Sequence, residues 1–403
     1  MLKKISIHEL AVGMHVHAVC GAWFDNPYWR NAFFLKDEAD IARLRGGRVR
    51  QLWIDTSKGI GLSTQTVTPF RTVPANDAHF AATAQRPAPS LQPASTTHEL
   101  ANAAAIIAAS AGTLSGMFAD VRLGRQLDAQ AVLALVDSIH ASVVRHGSAL
   151  ASLARLRKAD NDCQLHGVAV CAMMIGLPRQ LGLEESEARL CGVAGLLHDI
   201  GKTAVDANAP FPGSPGDARQ YGRATEHAMA SRQILLQAGI DHPVILDICL
   251  NHHERIDGTG YAHGLRGEAV SLHARMAAIC DVYDGMTSEG HGRQVWNPAA
   301  ALKKIAEWTR SGQLDVTIFS AFVRCTGIYP LGTLVRMRSG HLAVVTDSES
   351  CLYAPVVRAF FCIASRRHIP PFSIDLYESR DNGIASHEDA ATWGLGELGH
   401  LWT

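Results

Sequence analysis

The sequence predicts a mainly α-helical protein, in which a helical bundle domain is joined to a small N-terminal α/β domain and a short C-terminal β extension. Three observations lead there: apolar residues at helical spacing through the middle of the chain, short mixed segments before them, and brief β-like runs after them. A chain of 403 residues also exceeds what one core usually holds, so more than one domain is expected.

Residues 1–59 combine the apolar stretches AVGMHVHAV and VRQLWID with a helical-looking segment, LKDEADIARLRGG, whose closing glycines make a natural helix stop. This is the small α/β domain. Residues 60–97 are rich in Thr, Pro, Ala, Ser and Gln, offer little periodic apolar surface, and read as a linker. From 98 to 326 the apolar positions recur as in AQAVLALVDSIHASVVRHGSALASLARL and RLCGVAGLLHDI, punctuated by Gly and Pro, which marks the helical domain. Residues 327–403 carry TLVRM, LAVVT and APVVRAFFCI between polar turns and read as a β extension, with a loosely ordered tail.

With 47% hydrophobic and 19% charged residues and a formal net charge of −1, the chain reads as a soluble globular protein without the basic bias that nucleic-acid polymers require. Its 9 cysteines form no CxxC pair, which suits a reducing cytosol. The opening MLKKISIHELAVGM lacks the apolar stretch of a secretory signal. Leu100 to Ala119 is uncharged and long enough to span a bilayer, but it is dominated by alanine and interleaved with Asn, Ser, Thr and Gly. It reads as a packed soluble helix, so the expectation is a cytoplasmic protein with no membrane partner.

Two motifs carry chemistry. LLHDIGK, residues 196–202, sets His198 and Asp199 side by side at the end of an apolar helix. An imidazole and a carboxylate together suit a divalent ion, while a capping aspartate and a pocket-filling histidine would leave the same trace. NHHERIDGTGY, residues 251–261, presents His252 and His253, then an acidic residue and a glycine-rich turn that brings backbone close to a ligand. Adjacent residues on a helix diverge by about 100°, so this pair is expected to address two neighbouring ions.

LLHDIGK, a histidine some thirty residues later, and HHERIDGTGY together resemble the HD-GYP subgroup of the HD phosphohydrolases. The likeness continues through His166 in DNDCQLHGVAV, His227 in ATEHAMASRQIL, and LHARMAAICDVYDGMTS with Arg275, Asp281 and Asp284. The residues before the linker are similar to an uncharacterised domain that precedes HD-GYP modules in many bacterial proteins. The resemblance implies a helical HD domain whose metal ligands are His166, His198, Asp199, His227, His252, His253 and Asp281, with Asp199 bridging two divalent ions. Iron or manganese is the family expectation, although the donor set also suits Co, Ni or Zn.

The implied activity is metal-dependent hydrolysis of cyclic di-GMP to linear pGpG and onward to GMP, with bound ions activating water and offsetting charge on the phosphodiester. A mixed GMP–AMP cyclic dinucleotide and a non-cleaving nucleotide sensor or scaffold stand as alternatives. Lys202 is assigned to the departing 3′-oxygen or a phosphate oxygen. Arg255, Asp257, Gly258, Gly260, Tyr261, Arg275 and Arg293 are assigned to the substrate. Asp162, one turn before His166, is a candidate ligand for a third ion, against the plainer reading of a solvated aspartate near a helix start. A homodimer or a signalling-protein partner is left open.

Three departures from the family pattern stand out. Gly260-Tyr261-Ala262 lacks the proline that stiffens the loop, so a looser loop is expected. Ser231 replaces a common glycine, and Gly290-His291-Gly292-Arg293 keeps only the last basic position of an Arg-Pro-Tyr-basic segment. These changes are expected to alter pocket shape and substrate grip more than metal binding.

Overall fold

A computed structural model of the chain describes residues 2–6, 10, 12–20, 33–35, 41, 51–56, 58, 94–156, 162–204, 218–288, 295–348, 351–379, 382–396 and 398–402. They fall into two units, Met1–Asn76 with Asp315–Ser320, and Asp77–Leu314 with Ala321–Thr403.

In the first unit, strands β1 (Leu2–Ser6), β2 (His15–Cys20), β3 (Phe33–Phe34) and β4 (Gln51–Asp55) form an antiparallel sheet in the order β1-β4-β2-β3. Ile5, Val16, Leu52 and Ile54 from these strands join Leu10, Met14, Leu35 and Ile41 in one buried cluster. Of the expected helical segment only Leu35 and Ile41 are described, Ile41 being helical; its other residues, and the linker as far as residue 93, lie outside the described residues.

The second unit begins with α1 (Thr96–Arg122), α2 (Ala129–Arg145), α3 (Ala149–Arg155), α4 (Asp162–Leu181) and α5 (Glu185–Leu197). A 3-10 turn (Ile200–Thr203) leads to α6 (Ala218–Gln237), α7 (Pro243–Asn251), α8 (Leu272–Thr287) and α9 (Pro298–Arg310); α10 is Val316–Thr326. Helix starts follow local chemistry. Asp128 caps α2 by accepting from the amides of Gln130 and Ala131, and Ser271 caps α8 by accepting from Ala274. Inside the unit, α4 is buried almost throughout from Val168 to Leu177 and packs against α2, α3, α5 and α8.

By length and composition, α1 is the one described helix able to cross a membrane. It packs on α2, α3 and α4 through a single stripe that includes Leu100, Ala103, Ile107, Leu114 and Met117. Glu99 in that stripe is fully buried, where Ser142, Asn102 and Arg145 all donate to it, the Arg145 Nε at 2.6 Å. Burial opposes ionisation of Glu99, but those donors outweigh it and hold the carboxyl below its ordinary value.

The C-terminal extension is an antiparallel sheet in the order β8-β7-β6-β5-β9, built from β5 (Leu334–Met337), β6 (His341–Asp347), β7 (Val356–Cys362), β8 (Arg367–Asp375) and β9 (Ile384–His387). Three of these strands coincide with the β-like runs. The other two do not, because β8 carries Pro370 and Pro371 without an apolar alternation and is largely exposed, as an edge strand can be. The loosely ordered tail is corrected by the structure. Ile384–His387 pairs with β5, and Leu401 and Trp402 are buried, with Trp402 against Gly332 and Arg358 donating to the Leu401 carbonyl at 3.2 Å.

Candidate metal centre

Five helices, with the turns that follow two of them, converge on a single spot. His166 lies early in α4, His198 caps the C-terminus of α5 with Asp199 directly after it, His227 is on α6, His252 caps α7 with His253 following, and Asp281 is on α8. Two close approaches make this possible. A side chain at Gly167 would stand 2.8 Å from the Leu196 carbonyl oxygen, so glycine lets α4 and α5 cross tightly and sets His166 beside His198. A side chain at Gly201 would stand 2.0 Å from the His227 carbonyl oxygen, so glycine again lets the turn after Asp199 lie against α6.

The donor atoms form two groups, each with its atoms within 4.8 Å of one another: His166, His198, Asp199 and Asp281 in one, and Asp199, His227, His252 and His253 in the other. Asp199 is common to both. The two consecutive histidines therefore belong to one group, contrary to the expectation that they would face separate ions. The reason is local. α7 stops at Asn251, so His252 is a cap and His253 lies in the following turn, where helical angular spacing no longer applies.

The hydrogen bonds behind the rings decide which nitrogens face inward. His198 Nδ1 donates to the Gly195 carbonyl at 2.8 Å, and His252 Nδ1 to the Cys249 carbonyl at 3.0 Å. His166 Nδ1 donates to Asp284 at 2.7 Å. With each Nδ1 carrying its proton, each Nε2 points a lone pair into the centre. His166 and His198 then bring their Nε2 atoms to 3.3 Å, and His227 and His253 do the same at 3.3 Å. At that distance each pair of nitrogens needs a proton or a metal ion between them.

Electrostatics agree. Burial opposes ionisation of Asp199, but Lys202, His198 and His227 hold its carboxyl well below the usual range. Asp281 is held well below by His166 and His198 against the same penalty. Burial and the neighbouring His198 push His252 down to about 3, and burial and His252 push His253 well down, so both stay neutral and able to donate a lone pair. Burial alone would lower His166, but Asp281 and Asp284 raise it well above the ordinary value. A proton on His166 thus supplies the positive charge that a metal ion can replace. Asp199 Oδ1 and His252 Nε2 are buried without a hydrogen-bond partner, as expected of donors meant for a cation. The residues present fit divalent ions.

The remaining predicted residues divide. Lys202 pairs with Asp199 through Nζ. Tyr261 lays its ring 4.6 Å from that of His253, and half-buried Arg255 lies close enough to Asp281 and Tyr261 to interact with them electrostatically. Asp257 accepts from Thr259, its amide at 2.9 Å and its hydroxyl at 2.6 Å, so it shapes the turn that contains Gly258 and Gly260. Arg275 faces backbone, donating to the Val270 carbonyl at 2.8 Å and the Gly267 carbonyl at 2.9 Å. Arg293, Gly290 and the side chain of Asp162 lie outside the described residues.

Three residues gain roles that the motifs alone did not give them. Glu254, which is 1% exposed, accepts from the amides of His263 at 2.6 Å, Gly264 at 3.1 Å and Leu265 at 3.0 Å, pinning the loop that carries Tyr261. The loop is thus anchored although proline is absent, and its Tyr261–Ala262 peptide bond is cis. Ser231 accepts from the Gly201 amide at 2.8 Å and donates to the His198 carbonyl at 2.8 Å. Its effect therefore falls on the His198–Asp199 segment rather than on pocket shape alone. Asp284 holds His166. Only the acidic position in HHER could have pointed to Glu254.

Residues 144–318 match the HD domain family, and residues 2–132 match a domain of unknown function, DUF3391. A cyclic di-GMP phosphodiesterase of Pseudomonas aeruginosa is 41% identical over 413 aligned positions, covering 100% of this chain and 96% of the relative. The chain belongs to the HD-GYP family. Shorter matches cover part of the chain. A cyclic di-GMP phosphodiesterase response regulator of Xanthomonas campestris is 38% identical across 30% of this chain and 33% of its own length. A 3'3'-cGAMP-specific phosphodiesterase of Vibrio cholerae is 30% identical across 40% of this chain and 37% of its own length. Within this HD-GYP protein, each histidine and aspartate of the implied ligand set falls into at least one of the two donor groups, Asp199 into both.

Proposed function

We propose that this HD-GYP protein is a metal-dependent phosphodiesterase that opens cyclic di-GMP to linear pGpG and cuts that further to GMP. The observation that carries the reading is the pair of donor groups sharing Asp199. Two iron or manganese ions are the intended occupants; when bound, they supply activation of water and neutralisation of phosphate charge. The chain's own residues do the rest. His166, His198 and His252 are oriented by the partners on their Nδ1 atoms, which fixes the geometry of the centre before substrate arrives. Lys202, beside Asp199, is placed to offset charge or give a proton to the departing 3′-oxygen. Tyr261, stacked on His253, offers a ring to a base of the dinucleotide, and Arg255 offers positive charge. The protein acts in the cytoplasm, in keeping with its free buried cysteines at 171, 191, 249 and 280.

Purified protein loaded anaerobically with Fe(II) or Mn(II) is expected to convert cyclic di-GMP to pGpG, followed by chromatography, and Asp199→Asn to lower turnover by at least about 1000-fold. Absence of product with every loaded metal overturns the reading. The 3'3'-cGAMP-specific relatives favour a second substrate, and preferential cleavage of 3'3'-cGAMP in the same assay would replace cyclic di-GMP with it.

A further inference from the structure

Asp284 is 2% exposed and uses one oxygen for His166 and the other for Ser288, whose hydroxyl donates at 3.0 Å. It also lines a cavity of about 20 Å³ bordered by Ser148, Arg155, Met173, Tyr283 and Cys325. Three buried polar atoms of the lining residues have no hydrogen-bond partner: Ser148 Oγ, Arg155 Nε and the Tyr283 hydroxyl. Ser148 is 7% and Tyr283 4% exposed, so bulk solvent does not serve them.

The borders define the occupant. Arg155 disfavours a cation, Asp284 disfavours an anion, and a tyrosine hydroxyl, whose ordinary pKa is about 10, is neutral at physiological pH. One water needs about 10–15 Å³ and usually makes about three hydrogen bonds, which the volume and the three orphaned atoms provide. We propose that this cavity is a binding site for one structural water, and that Arg155 and Tyr283 act through it as positioning residues that hold Asp284, and thereby His166, in place. Arg155 is itself fixed from the C-terminal extension, donating to the Leu331 carbonyl at 3.3 Å. The support thus runs from that extension to the metal centre. The last step, from Asp284 to His166 as a ligand, rests on the metal-centre reading above; the water site does not.

Two measurements on the full chain test this. A crystal structure at high resolution is expected to show one water within hydrogen-bond distance of Arg155 Nε and the Tyr283 hydroxyl; a cavity without it, or holding an ion, overturns the site. Mn²⁺ affinity by competition with a chelator is expected to fall about 3- to 10-fold in Tyr283→Phe and in Arg155→Met, and about 10- to 100-fold in Asp284→Ala. Tyr283→Phe is expected to add nothing in the Asp284→Ala background, as required if it acts through that residue. A lowered Tm of the metal-free protein with unchanged Mn²⁺ affinity would mark a merely structural role and overturn the positioning claim. Asp199→Asn is the control: if it leaves Mn²⁺ binding untouched, the metal centre fails, and the crystallographic water still decides the cavity.

Discussion

Glu254→Gln probes the loop that carries Tyr261 with the smallest change of shape. The carboxylate accepts two amides on Oε1, from His263 and Gly264, and one on Oε2, from Leu265. In glutamine one of these oxygens becomes an amide nitrogen. With the oxygen kept toward His263 and Gly264, the new donor faces the Leu265 N–H, leaving a buried donor unsatisfied at about 1–3 kcal/mol. The two surviving bonds lose their charge assistance and about half their strength. A loss of about 2–4 kcal/mol therefore falls on the loop, not on the metal centre, because Glu254 is in neither donor group. If only 1.4 kcal/mol of this is felt as a smaller population of the binding-competent loop, KM rises about tenfold. The assay is steady-state hydrolysis of cyclic di-GMP, with metal content by elemental analysis and limited proteolysis across residues 257–266. The expectation is a raised KM, unchanged metal content and faster cleavage in the loop. A variant with the parent KM and the parent proteolysis pattern would refute the anchoring role.

Ser231→Ala removes both the acceptor of the Gly201 amide and the donor to the His198 carbonyl; a loss of about 1–3 kcal/mol is expected, seen as a Tm lower by a few degrees together with weaker metal retention. His387 is pushed from its ordinary value of 6.5 down to about 4 by burial and by Arg155, and neither of its ring nitrogens has a partner. A group lowered in this way leaves stability intact above pH 6.5 and removes it as pH falls toward 4, by at most about 3 kcal/mol. Urea unfolding at pH 7 and pH 4.5 should show a smaller acid loss in His387→Phe, which keeps a ring against Tyr329; an equal loss in both proteins counts against the assignment. Chelation should lower the Tm of the metal-loaded protein by an amount that grows with the metal concentration it had been held at, since ions that bind only the folded state stabilise by mass action. Asp199→Asn, lacking the shared carboxylate charge, should lose most of that shift.

The helical middle, with a small α/β domain before it and a β extension after it, was legible in the sequence, whereas the full donor set was reached only through the HD-GYP resemblance. Apolar periodicity is a local property, and His198 with Asp199, and His252 with His253, lie in short contiguous motifs whose residue types suit a metal ion but also a structural role. Tertiary structure decided how those donors are shared. The end of α7 at Asn251 turned His252 and His253 toward the same group, because chain direction after a helix stop is set by packing and not by helical angle. It also decided which polar side chains serve which partners. Asp284 meets His166 from 118 positions away, Ser231 meets Gly201 across a helix contact, and Arg275 donates to backbone carbonyls. A buried hydrogen-bonding group must be satisfied by whatever the fold brings within about 3 Å, and that proximity is not written in any single segment. For the same reason Trp402, in a stretch without periodicity, is buried against Gly332, a contact made only once the β extension is assembled.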